Sequence, residues 1–143
     1  MKITIINGPN LNKLGTRDPE IYGSETLEQT NTKLQNAFPD VELEFFQSNS
    51  EGKIIDRIQE AAEDPYTVGI VINPGAYAHY SYAIADAITD CDIPVVEVHI
   101  SNIHARESFR AKSVTGASAD AVITGCGRQG YHLAVSYLLS LDL

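Results

Sequence analysis

The chain has no tryptophan, one methionine, two cysteines, and 10 basic residues against 19 acidic ones, a formal charge of −9. Each shortage excludes something. Cys91 and Cys126 have no disulfide or zinc-ligand spacing, so two free thiols in a reducing compartment are expected. The acid excess repels nucleic acid and anionic membrane over most of the surface, so neither is expected as a partner. Any anionic ligand must then be held by local cations. No apolar run approaches the ~20 residues of a membrane span, and residues 3–6 are too short an apolar core for a signal peptide, so a cytoplasmic protein is expected. His79, His99, His104 and His132 show no HxH, HExxH or Cys/His spacing, which argues against a metal centre. No repeat, low-complexity tract or linker marks a second domain, and residues 1–143, 43% hydrophobic, suffice to bury about two-thirds of their unfolded surface.

What is present is an alternation. Apolar, β-branched runs predict strands over residues 3–6, 41–47, 67–72, 95–100 and 121–124. Between them, the stretch from a Ser24 cap to Phe38 places Leu27, Leu34 and Phe38 near one helical face, and residues 53–64 repeat Ile54, Ile55, Ile58, Ala61 and Ala62 at helical spacing. Residues 80–90 and 128–141 complete the helices, with a short extra turn or helix at 104–110. Five βα units with near-continuous apolar strands imply an α/β protein whose parallel sheet is covered on both faces. For the strand order 2-1-3-4-5, the order reverses between strands 1 and 3, and ligands bind beyond the carboxyl ends of the strands there.

The unusual polar residues fall at that place. After strand 1 comes "NGPNLNKLGTRDPEIYG", too rich in glycine and proline for regular structure through much of its length, yet carrying Asn10, Arg17 and Tyr22. After strand 3 comes "NPGAYAH", a tight turn from Asn73 that puts His79 near the start of a helix, where it either acts or simply caps and packs. At the end of strand 4, Glu97 and His99 share a face by period-two alternation, so the carboxylate can orient the imidazole. Ser101 and Asn102 follow, and a serine hydroxyl beside backbone N–H groups and an arginine suits a carboxylate or polyol. Arg106 and Arg110 share a face if their segment is helical, either as ligand clamps or as a solvated pair. "GCGRQG" matches G-x-G-x-x-G, but the following strand and acidic residue of a dinucleotide site are missing, so its glycines are expected to serve a sharp turn and close helix packing.

A phenol with a pKa near ~10 is a poor base at neutral pH. Lowering it by ~2 units requires ~2.7 kcal/mol, and one cation at ~4 Å supplies ~4 kcal/mol at an effective dielectric of ~20. A tyrosinate base at Tyr22, helped by Arg17, and a histidine acid would suit removal of a proton beside a carbonyl with loss of a β-hydroxyl.

Taken together, "INGPNLNKLGTRDPEIYG", "INPGAYAHYS", "VEVHISNIHARESFR" and the "GxGxxGY" pattern resemble the type II 3-dehydroquinate dehydratases over essentially the whole chain. The resemblance implies a flavodoxin-like fold in a single catalytic domain over residues 1–143. It implies dehydration of 3-dehydroquinate to 3-dehydroshikimate without metal or cofactor, and a dodecamer of four trimers. It makes Tyr22 the base for the C2 proton, Arg17 its activator, Asn10 the holder of a water at the enolate, His99 the acid at the C1 hydroxyl and Glu97 the orienter of His99. Asn73, His79, Ile100, Ser101, Arg106 and Arg110 would bind substrate, with Ser101 and the adjacent backbone at the carboxylate, and Asp86 would reach a neighbouring subunit's site. The chain departs from the family's common pattern at Ala78, Tyr80, Ala85 and Ala111. A non-catalytic flavodoxin-like module binding a polyol carboxylate is the alternative. Phosphoacceptor and flavin modules fit worse, since Asn7, Asn73 and Gly125 or Arg128 stand where a receiver needs aspartates and a lysine, and no hydroxyl-rich phosphate loop follows strand 1.

Overall fold

The computed structural model describes residues 1–16 and 18–141. Five strands, β1 (Lys2–Asn7), β2 (Glu42–Gln47), β3 (Thr67–Asn73), β4 (Val95–His99) and β5 (Ala121–Thr124), form a parallel sheet in the order β2-β1-β3-β4-β5. The expected α/β architecture and strand order are both present. Helices α2 (Leu27–Ala37) and α5 (Gln129–Ser140) cover one face, and α3 (Glu51–Glu63) and α4 (Tyr82–Thr89) cover the other. The alternation within β1 shows why the strands read as continuous apolar runs. Ile3 and Ile5 pack with Leu34, Tyr131, Val135 and Leu138, while Ile6 packs with Ile54, Ile58, Ile84 and Ile88.

The helix starts follow local capping. α2 begins at Thr26, not at Ser24: the Gln29 N–H donates to Thr26 Oγ1 at 3.1 Å and the Thr26 N–H donates to Gln29 Oε1 at 2.9 Å. Thr26 wins because the reciprocal box needs Gln or Glu three residues on, and Gln29 supplies it. α3 starts at Glu51 behind a Ser50 cap, two residues before the expected Lys53.

The long loop after β1 is more regular than its composition suggests. It contains a 3₁₀ turn at Leu11–Lys13 and one α-helical turn, α1 (Pro19–Tyr22), which Pro19 opens with its fixed φ and Gly23 closes at φ 77°. Segment 104–110 is likewise not one helix. Two 3₁₀ turns, Ile103–Ala105 and Ser108–Arg110, flank an extended Arg106, so the expected shared helical face of Arg106 and Arg110 does not exist.

Two glycines allow the close approaches that shape the sheet's carboxyl edge. A Cβ on Gly8 would lie 2.5 Å from the Pro74 carbonyl oxygen, so the loops after β1 and β3 meet backbone to backbone. A Cβ on Gly130 would lie 3.0 Å from a Val98 methyl, which is the helix packing expected of "GCGRQG", and Gly125 and Gly127 take positive φ in the turn before it. Among the described residues no helix is long and apolar enough to cross a membrane.

Candidate active site

Where the strand order reverses, β1 and β3 end side by side. Asn7 and Asn73 are cross-strand neighbours. Tyr131 of α5, 1% exposed, donates its hydroxyl to Asn7 Oδ1 at 2.6 Å and accepts from Asn73 Nδ2 at 3.0 Å. Burial pushes this phenol up to about 12, against the lowering effect of the Asn73 hydrogen bond, so it remains a neutral donor. Asn73 Oδ1 accepts the Gly75 N–H at 3.2 Å and so shapes the turn after β3.

Beyond these ends lies a cleft. Of the expected site residues it is lined by Tyr22, Asn73, His79, His99, Ile100, Ser101, Arg106 and Arg110. Glu97 sits behind it. Fully buried, Glu97 accepts the His99 Nε2–H at 2.8 Å, the Ser113 hydroxyl at 2.6 Å and the Thr115 hydroxyl. A carboxylate this deep without such donors would be costly, and the three together make its charge tolerable. With Nε2 committed to Glu97, Nδ1 is the His99 nitrogen left to act on a ligand.

His79 ends a 3₁₀ turn, Gly75–His79, and its Nδ1 lies 2.8 Å from the Lys112 carbonyl, which can only accept. Its ring stacks on His99 at 6.3 Å between centroids and meets Phe109 edge-on at 5.8 Å. Burial pulls the His79 pKa below the ordinary histidine value; the Lys112 carbonyl opposes this, while His99 and Arg110 reinforce it. Such an imidazole donates through Nδ1 and presents Nε2 as an acceptor.

On the opposite wall the Tyr22 phenol, 8% exposed, accepts from Arg106 Nη1 at 2.7 Å. Arg106 Nη1 also lies 3.2 Å from Ser101 Oγ, and the guanidinium carbon stands 5.5 Å from the Tyr22 ring centroid. Arg110 donates to Glu107 at 3.1 Å and rests over the Phe109 ring. Arg17, expected as the cation beside Tyr22, lies outside the described residues. Two other expected residues do not line the cleft. Asn10 is exposed at φ 69°, its N–H donating to Asn49 Oδ1 at 3.0 Å, and Asp86 is exposed on α4. Among the described residues no cluster of three or more His, Cys, Asp or Glu side chains could hold a metal ion.

Residues 1–139 match the family model described as Dehydroquinase class II. The chain belongs to that family. It is 57% identical over 143 residues to a 3-dehydroquinate dehydratase of Helicobacter hepaticus, an alignment covering 99% of this chain and 90% of the relative. It is 55% identical over 140 residues to one of Clostridium botulinum, covering 96% and 94%. The crystal structure of type II dehydroquinase from Butyrivibrio crossotus superposes with a TM-score of 0.94 at 50% identity, over 98% of each chain. The flavodoxin-like architecture is thus that of the class II dehydroquinases.

Several residues that build this dehydroquinase cleft escaped the sequence reading. Ser113 and Thr115 hold Glu97, Tyr131 ties Asn7 to Asn73, and Arg128 reaches the backbone of Tyr22. The signal for the first pair was indirect: a buried carboxylate on β4 needs more donors than one imidazole provides. For Arg128 the flanking glycines pointed to the backbone and not to the one charged side chain in the motif.

Proposed function

We propose that this class II dehydroquinase removes water from 3-dehydroquinate by anti elimination, giving 3-dehydroshikimate in the shikimate route to aromatic amino acids, with residues 1–143 as one catalytic domain. Tyr22, as the phenolate, takes the C2 proton. The electron pair moves onto the C3 carbonyl oxygen as an enolate, then returns to form the C1=C2 double bond as the C1 hydroxyl departs. His99, charged and paired with Glu97, gives that hydroxyl its proton, so it leaves as water. Tyr22 has gained one proton and His99 has lost one; exchange with solvent restores both.

The other roles follow from chemistry. Arg106 and Arg17 favour the phenolate, and Asn10 orients a water at the enolate oxygen. Ser101 and the Ile100 backbone take the substrate carboxylate, while Asn73, His79 and Arg110 take ring oxygens. No metal or cofactor enters the scheme. The protein works in the cytoplasm as a dodecamer of four trimers, in which Asp86 reaches a neighbouring subunit's cleft.

The observation that carries the reading is the pairing of unlike groups in one cleft: a phenol hydrogen-bonded to a guanidinium at 2.7 Å and an imidazole hydrogen-bonded to a buried carboxylate at 2.8 Å. Opposite partners separate a base from an acid. The direct test is incubation with 3-dehydroquinate while following the absorbance of the conjugated enone. Growth in proportion to protein, undiminished by exhaustive dialysis against a chelator, is the expected result. Binding with no absorbance change would favour the non-catalytic polyol-carboxylate module instead. Sedimentation at micromolar concentration tests the dodecamer.

A further inference from the structure

Arg128 stands at the N-cap of α5, with its side chain 15% exposed. Its Nε and Nη2 donate to one acceptor, the backbone carbonyl of Tyr22, at 3.2 and 2.6 Å. Tyr22 is the last residue of α1 and Gly23 turns the chain away at φ 77°, so this carbonyl is one of the acceptors that a helix end leaves without an intrahelical donor. The remaining nitrogen, Nη1, donates to the Thr30 hydroxyl and to Glu25 Oε2 at 3.4 Å. Those two acceptors are themselves fixed: the Thr30 hydroxyl, 3% exposed, donates to Glu25 Oε2 at 2.8 Å, and Glu25 also pairs with Lys33. The fork is therefore gripped on one side by α2 and its approach, and on the other it grips the turn that carries the phenol.

The site's proton chemistry gives this clamp a consequence. Tyr22 is held at its hydroxyl by Arg106 and at its backbone by Arg128, from two unrelated stretches of chain. A four-residue helical turn cannot fix its own orientation, and a displacement of ~1 Å at a reacting group can cost ~10²-fold in rate. We infer that Arg128 is a positioning residue for the dehydration, which holds the Tyr22 carbonyl so that the phenol stays on Arg106 and faces the cleft. The inference rests on the reading of Tyr22 as the base. Lysine would restore the charge but not the planar fork that spans a carbonyl and a hydroxyl at once.

The test compares Arg128→Ala, Arg128→Lys and Tyr22→Phe with the parent in steady-state kinetics across pH, at a temperature below every variant's unfolding transition. Arg128→Ala is expected to lose about 10- to 100-fold in kcat with a smaller change in KM. Its acid limb should move to higher pH, because a phenol that leaves its cation ionises less readily. Arg128→Lys should recover part of the loss, and a low concentration of free guanidinium should partly restore Arg128→Ala but not Tyr22→Phe. Parental kcat and pH profile in a folded Arg128→Ala would overturn the inference. So would a loss of kcat with an unmoved acid limb and no guanidinium response, which marks a purely structural role. Should Arg128→Ala fail to fold, Arg128→Lys decides: lowered kcat with a shifted limb supports the inference, parental values overturn it. Near-parental turnover in Tyr22→Phe would instead overturn the assignment of Tyr22 as base, and the role of Arg128 with it.

Discussion

His99 stands on a strand whose five residues are all buried, and its carboxylate partner lies two residues away on the same strand. Tyr22 stands on a single helical turn, and among the described residues a cation reaches its hydroxyl from 84 residues along the chain. One wall of the cleft is built by strand periodicity, the other by loops that find each other only in the folded protein. The first wall is rigid because β4 is paired on both sides, and it was legible because alternation alone brings Glu97 and His99 together. Among the described residues the second depends on contacts of high sequence separation, such as Arg106 and Arg128 with Tyr22, which no local pattern announces.

The largest expected effect tests whether the loop wall does chemistry. Tyr22→Phe should lower turnover by ~10²- to 10⁴-fold, the usual contribution of a general base, with substrate affinity by calorimetry nearly unchanged. Near-parental turnover would leave the loop wall with binding alone. Next, Glu97→Gln should cost ~1.5–3 kcal/mol of the hydrogen bonding that holds His99, read as a fall in kcat of roughly tenfold to a hundredfold with KM little affected. If KM rose instead while kcat held, the strand wall would be a substrate clamp and not an acid.

Tyr131→Phe touches the seam between the walls. It leaves Asn7 Oδ1 and Asn73 Nδ2 without their buried partner, and urea unfolding should show a loss of about 1–3 kcal/mol at neutral pH. The gap should narrow in alkali. The parent's phenol titrates at about 12 when folded and near ~10 when unfolded, so its contribution is complete below the lower value and is lost as pH rises through the higher one. A constant gap up to strong alkali would show that the phenol is not the source of the stability.

The smallest effect belongs to His79. Its folded pKa is depressed, chiefly by burial, so the unfolded chain binds the proton more readily. Stability is then fully present above ~6.5 and declines as pH falls towards the lower folded value. Melting temperatures of the parent and His79→Gln between neutral and mildly acidic pH should diverge in that direction, the parent losing more. Parallel curves would mean that His79 is solvated like any surface histidine.

The same contrast explains what could be read in advance. The strands, the core face of α3 and the Glu97–His99 pair all express short periods that survive in the sequence, whereas the strand order is a matter of fold and followed from the family resemblance. Arg106 was not foreseen as a partner of the Tyr22 hydroxyl because it becomes a neighbour only after β4 and β1 are placed, while the expected Arg17 lies outside the described residues. Thr26 took the α2 cap from Ser24 because reciprocity with Gln29 outweighs the mere presence of a hydroxyl. Arg106 and Arg110 reached the cleft without the helix expected to carry them: the two 3₁₀ turns aim both side chains inward by a different backbone path.

For the engineer who wishes to reshape this cleft, the Gly8–Pro74 contact divides positions into those worth randomising and those to leave alone. A side chain at Gly8 would force the backbones after β1 and β3 apart, and with them Asn7 and Asn73. A library that fixes Gly8 and varies Ala76 and Ile103, which line the cleft without entering the proton-transfer scheme, can alter what fits while the floor keeps its geometry.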